Sequence, residues 1–484
     1  MLAVAHVLGL MMAFFGLVYV LPIAWSVGVG DGAVIDFVAA LLINVFVGLA
    51  VATATRKFRR ELKPRDGFLL VSLSWTLMSA SAAIPFMIAM PDMSFTDAYF
   101  ESMSGLTTTG STVLNHLDTL PQSINLWRHV LHWIGGIGII VLAVAVLPLL
   151  GVGGMQLYRA ETPGPVKDEK LTPRITETAK ALWFTYLAIT MMGIVALHIA
   201  GMSWFDAICH CFSAIALGGF STHDQSVGFF HSANIEMVLV VIMLIGALNF
   251  SRHFLAFRNL TFKPYKTDSE GKAVLIVIGA SVVVVTLALW MGGTGTYPPF
   301  ATALRHALFN VVSIATTAGF VTENYETWPA FIPVWLLFLS CITCSTGSTG
   351  GGIKMFRTLL LVRQARRELK LLVHPSAVIP IRIGGVAIPD RVAYSVLAFI
   401  FLYFGTILVL TFAMLATGLD LVSSFSAIVG SVNSVGPGLG EVGPAGNFEP
   451  LSDIQTWICT LAMLIGRLEI FSVLVLFTAT FWRR

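Results

Sequence analysis

Charge is scarce in this chain. Asp, Glu, Lys and Arg make up 11% of its 484 residues and 56% are apolar, whereas a soluble domain carries about 25% charged residues. With a mean hydropathy of +0.84, an ordinary soluble protein is excluded. Cysteine is scarce as well, with five residues. Only Cys341 and Cys344 have CxxC spacing, and with no second pair a metal site is not expected. Cys209, Cys211 and Cys459 read as small apolar packing residues. No base, nucleophile and orienting acid fall into one constellation, so no enzyme is expected. The glycine-rich stretch Gly347–Gly352 misses the phosphate-loop spacing, because the lysine that GxxxxGK needs at 353 is Ile353, and no strand precedes it. Neither an organic cofactor nor a nucleic-acid partner is expected.

Long apolar runs are what the chain has instead. They cover Val34–Ala54, Gly67–Met90, Val130–Leu150, Ala181–Ala200, Ile235–Leu248, Ala273–Met291 and Val392–Thr417, and runs near 20 residues match a hydrocarbon core about 30 Å thick. The first run, Leu2–Trp25, has no basic n-region or small-residue cleavage site and reads as a retained helix. Five segments (55–65, 151–180, 252–272, 357–391 and Arg483–Arg484) hold 25 of the 29 Lys and Arg residues. They lie on alternate crossings, so the positive-inside rule puts them in the cytoplasm. The intervening segments carry mostly carboxylates, among them Asp97, Glu101, Asp118, Asp206, Asp224, Glu323 and Glu326. An acidic outer mouth would concentrate cations.

Four of these outward segments align without gaps: DAYFESMSGLTTTG (97–110), DAICHCFSAIALGG (206–219), HALFNVVSIATTAG (306–319) and SSFSAIVGSVNSVG (423–436). Their final glycines, Gly110, Gly219, Gly319 and Gly436, recur at spacings of 109, 100 and 117 residues, so one unit occurs four times. Each unit is a short apolar run followed by small or hydroxylated residues. A half-helix of about ten residues reaches about 15 Å, which puts each glycine at mid-membrane depth. Irregular backbone there must line a water-filled cavity or be buried in protein. A dehydrated cation needs backbone carbonyls held in a ring, and glycine allows the positive φ that turns a carbonyl inward. Each half-helix also points its partly negative end at the cavity.

The expected fold is an all-α polytopic membrane protein. Four pseudo-symmetric helix–pore-helix–filter–helix repeats surround one pore, and two extra transmembrane helices precede them. The boundaries are 1–65 for the leading helices, then 66–179, 180–272, 273–390 and 391–484 for the repeats, which are parallel rather than inverted.

TTTGST (107–112), ALGGFST (216–222), ATTAGF (315–320) and SVGPGLG (434–440) resemble the four filters of the Trk/Ktr/HKT potassium transporter superfamily. HWIGGIGII (132–140), STGSTGGGIK (345–354) and GRLE (466–469) add to the resemblance, which covers essentially the whole chain. The two leading helices point to the branch of bacterial Trk membrane subunits. The resemblance implies K+ as the transported ion and a filter of Thr108, Thr109, Gly110, Ser111, Leu217, Gly218, Gly219, Phe220, Thr317, Ala318, Gly319, Ser434, Val435 and Gly436. It also implies a homodimer in the bacterial inner membrane and a cytoplasmic, nucleotide-binding TrkA-type ring. Serine at the first filter glycine tends to favour sodium in this superfamily, so Gly110 fits potassium. One glycine per repeat, in place of the potassium-channel TVGYG loop, suggests fewer ordered ion sites and looser discrimination.

The third inner helix is interrupted at 341–354. Small or polar residues there cannot face lipid, and Thr346, Gly347, Ser348, Thr349, Gly350, Gly351, Gly352 and Lys354 are expected below the filter as an intramembrane gate. Arg467 reads as lying midway along a last helix of about 454–482, either ion-paired with Glu469 or set beside the pore as an electrostatic barrier. His129 and His132 read as helix-packing residues. Two functions fit: a gated potassium-selective pore, or an H+- or Na+-coupled symporter. Coupling usually needs a titratable carboxylate near the site, and Glu101, nine residues before Gly110, reads as too far toward the half-helix start. The channel-like mode is favoured. A membrane scaffold would have no use for four repeated polar loops.

Overall fold

The computed structural model describes residues 1–60, 62–141, 175–292 and 299–483. Most of the basic segment 151–180 and the second half of the run Val130–Leu150 lie outside the described residues. Among the described residues six helices are long and apolar enough to cross a membrane: Leu2–Val29, Val34–Ala54, Arg65–Ala89, Ala179–Ile199, Ser269–Met291 and Asp390–Ala416. Their outward faces are apolar, as on Asp390–Ala416, where Phe401, Phe404, Leu408, Val409 and Phe412 are exposed. The chain is an all-α polytopic membrane protein.

Four half-helices sit inside this shell: Phe95–Leu106, Trp204–Ala216, Phe300–Ala315 and Leu421–Asn433. At 12 to 16 residues, or about 18–24 Å, they are longer than the ten residues expected from the alignment. The extra turn comes from N-caps outside the aligned block. Ser94 and Ser203 accept from the N–H groups of Asp97 and Asp206, and Asp420 accepts from those of Val422 and Ser423. Such caps satisfy first-turn donors that have no partner within the helix.

The leading helices cross closely at two glycines. A Cβ on Gly9 would sit 2.7 Å from the Gly48 carbonyl, so the backbones themselves are in contact. The pair docks on the repeats through Phe15, Tyr19 and Phe37, whose rings surround Trp127 at centroid distances of 6.2, 4.6 and 6.0 Å. The Trp127 indole N–H donates to Ala82 O at 3.0 Å. A buried aromatic cluster of this size anchors by area and ring geometry together.

Inner helices two, three and four are all broken. The second runs Ala233–Ala247 and turns by 101° into Phe250–Asn259; the fourth runs Asp453–Arg467 and turns by 112° into Ile470–Phe477. The third stops at Ile342 and resumes as Met355–Val373. The continuous last helix expected over 454–482 is therefore incorrect, and Arg467 ends its helix rather than lying midway. Apolar periodicity carries through a bend whose two arms are both apolar, so the sequence pattern did not register it.

The first inner helix, Gln122–Val141, approaches its half-helix so closely that a Cβ on Gly135 would overlap the Leu106 carbonyl, whereas one on Gly279 meets nothing within 4 Å. Gly135→Val should therefore abolish the monodisperse folded peak in size-exclusion chromatography. Gly279→Ala should leave it intact, with a gain of up to about 1 kcal/mol from helix propensity. Equal behaviour of the two variants would refute the close approach.

Candidate ion filter and gate

All four half-helices end identically. The N–H one residue before each glycine bonds five residues back: Thr109 to Ser104, Gly218 to Ser213, Ala318 to Ser313 and Val435 to Gly430, at 2.8–2.9 Å. The preceding N–H bonds three back: Thr108 to Gly105, Leu217 to Ala214, Thr317 to Ile314 and Ser434 to Ser431, at 3.0–3.2 Å. This pairing is a Schellman ending, whose turn residue is left-handed. Here it is Thr108 (φ 53°), Leu217 (φ 56°), Thr317 (φ 61°) and Ser434 (φ 55°), where glycine would be the low-energy choice. Four side chains in that region mark strain held by the surrounding packing. Two residues later the backbone is left-handed again, at Gly110 (φ 83°), Gly219 (φ 81°), Gly319 (φ 80°) and Gly436 (φ 94°).

Around the shared axis the glycines interlock. A Cβ on Gly110 would overlap the carbonyl of Gly218, one on Gly219 that of Ala318, and one on Gly319 that of Val435; one on Gly436 would lie 2.9 Å from Thr109 O. Each glycine thus faces the carbonyl just before the glycine of the next repeat, and the order closes from repeat four to repeat one. Four carbonyls at one register form a ring suited to replacing a cation's hydration shell.

The inner helices brace this ring from behind, again at one register. Gly135, Gly246 and Gly466 lie against the carbonyls of Leu106, Ile215 and Val432, and the Thr343 hydroxyl donates to Ala315 O. Every one of these carbonyls lies four residues before its filter glycine. The HWIGGIG and GRLE motifs are therefore close-approach surfaces. Between repeats one and two the brace is a buried ion pair. Arg128 donates to Glu101 at 2.7 Å, to Asn125 Oδ1 at 3.0 Å and to Ser221 O at 3.1 Å, and its guanidinium lies 4.2 Å from the Phe220 ring centroid. Glu101 also accepts from Thr112 Oγ1 and Val113 N. Both side chains are fully buried, so Glu101 lies behind the filter rather than toward the half-helix start. His129 reaches Phe220 O at 3.1 Å and His132 reaches Ser213 Oγ at 2.7 Å, which ties the first inner helix to the second filter.

A cleft of about 90 Å³ lined by all four filter glycines, with Ser111, Phe220, His223 and Asp224, opens on the side of the ring away from the interruption in inner helix three. Most nearby carboxylates are engaged elsewhere. Glu236 pairs with Arg305 at 2.7 Å, Glu326 accepts from Gly440 N, and Asp224 accepts from Leu117 N at 3.1 Å. Among the described residues lining the cleft the one carboxylate is Asp224, itself engaged by Leu117 N, so the broad acidic mouth is not formed there. His223 contacts Asp118 through Nδ1, lies 3.5 Å from Asp206 through Nε2, and stacks on Phe229 at 3.6 Å. Burial disfavours its charge, but the two carboxylates prevail and raise its pKa above the ordinary value. Asp118 is partly desolvated, yet the His223 hydrogen bond holds it below the usual carboxylate range.

The interruption in inner helix three lies directly under the filters. Gly351 N donates to Thr317 Oγ1 at 3.0 Å, and a Cβ on Gly351 would overlap Asn433 O. Thr349 Oγ1 donates to Ile215 O at 2.9 Å, and Thr349 N to Gly246 O at 3.3 Å. Ser345 N bonds Ala247 O, while Gly347 O accepts from Phe250 N. Lys354 Nζ donates to Gly350 O. Arg467, only 3% exposed, joins the loop to repeat one by donating to Thr349 O at 2.7 Å and Gly135 O at 3.0 Å. It does not pair with Glu469, which binds Arg357 at 2.7 Å. Sequence reasoning missed that pair, and also Glu270, which accepts from Thr346 N at 2.6 Å and Phe356 N at 3.1 Å. An acid at the head of the apolar run Ser269–Met291 was the available signal for Glu270.

A family model described as a cation transport protein, TrkH, matches residues 34–484. The chain is 49% identical to the Trk system potassium uptake protein TrkH of Vibrio parahaemolyticus and 46% identical to that of Escherichia coli (strain K12), covering 99% of either chain in both comparisons. The crystal structure of the potassium transporter TrkH from Vibrio parahaemolyticus superposes with a TM-score of 0.91 at 45% identity, covering 100% of this chain and 99% of that one.

His223 gives a pH test. Its folded pKa lies above the unfolded value of about 6.5, so its pairing is fully stabilising below that value and is lost as pH rises through the folded pKa. Asp118, shifted downward, contributes above its unfolded value of about 3.9 and loses that share as pH falls through its lowered pKa. The melting temperature should therefore decline as pH rises from about 6.5 through the raised folded pKa, and His223→Gln should flatten that decline. An unchanged slope in the variant would refute the assignment.

Proposed function

The chain belongs to the TrkH family of cation transport proteins, and from that premise we propose that it is the potassium-conducting membrane subunit of a Trk-type uptake system. The closed ring of interlocking glycines and carbonyls carries this reading. K+ is coordinated by backbone carbonyls from Thr108–Ser111, Leu217–Phe220, Thr317–Gly319 and Ser434–Gly436, with Thr109, Gly218, Ala318 and Val435 supplying the ring itself. Pore repeats bounded at 66–179, 180–272, 273–390 and 391–484 follow the leading helices at 1–65. The filter faces outward from a bacterial inner membrane, an orientation supported by basic residues concentrated in segments such as 55–65 and 357–391.

The loop Thr346–Gly352 is the gate, with Lys354 and Arg467 as its charged latch. A guanidinium bound only through carbonyls keeps its full positive charge under the filter, where it opposes cation passage. A cytoplasmic, nucleotide-binding TrkA-type ring acts on this loop, and two copies of the chain assemble as a dimer.

Channel-like conduction is favoured over H+- or Na+-coupled symport because Glu101, the carboxylate nearest the first filter, is tied to Arg128, Thr112 and Val113. A proton carrier there would have to break a buried ion pair, at a cost of about 3–5 kcal/mol.

Reversal potentials of the purified protein in planar bilayers test the mode. They should follow the K+ gradient and ignore an imposed pH gradient, whereas a shift with pH would establish coupling instead. In the same assay, Gly110→Ser, whose Cβ would displace the Gly218 carbonyl, should lower K+/Na+ discrimination by about tenfold, equivalent to about 1.4 kcal/mol. Unchanged discrimination would remove Gly110 from the filter.

Arg467→Ala should raise K+ flux without altering that discrimination, because it removes a charge below the ring and leaves the ring intact. Unaltered flux would sink the latch.

A further inference from the structure

The second arm of inner helix three, Met355–Val373, carries more charge than its packing uses. Its buried face presents Phe356, Leu360 and Gln364. Arg363, Arg366, Arg367 and Lys370 fall at i, i+3, i+4 and i+7, and so share one flank. Together with Ile379, Pro380, Ile381 and Arg382 of the short hairpin segment they line a cleft of about 300 Å³. The facing carboxylates are Asp390, 2.6 Å from Arg367, and Glu368, 3.7 Å from it. Three positive charges remain in excess, and the buried Arg367 Nε–H has no hydrogen-bond acceptor among the described residues.

Depth identifies what the cleft faces. Asp390 begins a span of 27 residues, about 40 Å long, while the hydrocarbon core is about 30 Å thick. The first residues of that span therefore reach the headgroup layer, on the membrane face opposite the filter mouth. The Arg367–Asp390 pair holds the cleft at that level. Exposed apolar side chains border this flank: Leu369 and Val373 on the helix, and Val378 before the hairpin. No aromatic ring lines the cleft, so a nucleobase would find no stacking surface.

We propose that this cleft binds the phosphodiester headgroup of an anionic glycerophospholipid, with the acyl chains lying along Leu369 and Val373. The arginine forks suit phosphate oxygens, which accept two parallel N–H bonds from one guanidinium. Basic pockets between helices at a membrane face are where such headgroups bind. The site is separate from the filter and from the loop beneath it, so it does not depend on which ion the protein conducts.

Native mass spectrometry of the purified full-length protein tests this by titration with dioleoylphosphatidylglycerol, dioleoylphosphatidylcholine or inorganic phosphate. The anionic lipid should remain bound at collision energies that strip the zwitterionic one. Its affinity should fall at least about tenfold in Arg363→Gln/Arg366→Gln/Lys370→Gln, given the strength of charged hydrogen bonds. Arg382→Gln, a single exchange at an exposed hairpin position, should weaken binding several-fold and guards against misfolding of the triple variant. Equal lipid retention by all three proteins would overturn the proposal. Competition by inorganic phosphate at the lipid's own affinity would assign the cleft to a soluble anion, and capture of an acidic peptide with no lipid retention would assign it to a protein partner.

Discussion

At mid-membrane depth a peptide group has no water to bond, so every N–H must find an acceptor within the protein and every unused carbonyl becomes a resource. The four half-helices meet this constraint in one way. Their Schellman endings consume the N–H groups of the two residues before each glycine by returning them to the last helical turn. The carbonyls of the residues just before the glycines have no such intrahelical duty, and these are the groups the interlocked glycines meet across the axis. Donor satisfaction and carbonyl presentation are therefore two sides of one turn. The strained left-handed residues Thr108, Leu217, Thr317 and Ser434 are what that turn requires when a side chain, rather than glycine, occupies its centre.

The same constraint extends outward to the helices behind the ring. The last turn of each half-helix presents a carbonyl four residues before its glycine, and each inner helix brings a glycine or a hydroxyl against it. Distance from the axis is thereby set by backbone contact rather than by adjustable side chains. Rigid backing of this kind matters for ion discrimination, since a ring free to contract would fit a smaller cation equally well. The Arg128–Glu101 pair extends the brace sideways from repeat one to repeat two. It is buried and saturated with hydrogen bonds, the condition under which an ion pair specifies geometry instead of merely costing desolvation.

How much of this was legible in the sequence depended on whether a feature repeats. Gly110, Gly219, Gly319 and Gly436 stood out because one backbone demand had to be met four times with the one residue that meets it at low energy. The turn two residues earlier obeys the same fourfold symmetry, yet its occupants (Thr, Leu, Thr and Ser) share no chemistry, so nothing in composition announced it. Arg467 was recognised as a buried cation but misplaced along its helix, because the bend after it lies between two apolar arms. Partner choice was the least legible. Glu469 lies two residues from Arg467 and binds Arg357 instead, since proximity along the chain reverses across a 112° turn. Glu101 was placed too far from the filter for a related reason: sequence distance along a half-helix overstates distance to the loop that folds back over it.

The proposed gate follows from the same accounting. The loop beneath the filters is held by Ser345 and Thr349 on inner helix two, Gly351 on Thr317, Thr346 on Glu270, and the two cations Lys354 and Arg467 on its own carbonyls. At about 0.5–1.5 kcal/mol net for each bond once the freed groups are rehydrated, the closed arrangement is favoured by something on the order of 5 kcal/mol. That is roughly the gap separating a population of 1:99 from 99:1. K+ entering from the filter side has little preference between the two loop positions, and a ligand with equal affinity for both states shifts neither. The difference must be supplied by something that binds the two conformations unequally at the far face. Under the proposed function that agent is the cytoplasmic TrkA-type ring. The helix that leaves the loop, Met355–Val373, is the lever it would grasp, because any movement of that helix pulls directly on Lys354 and Gly352.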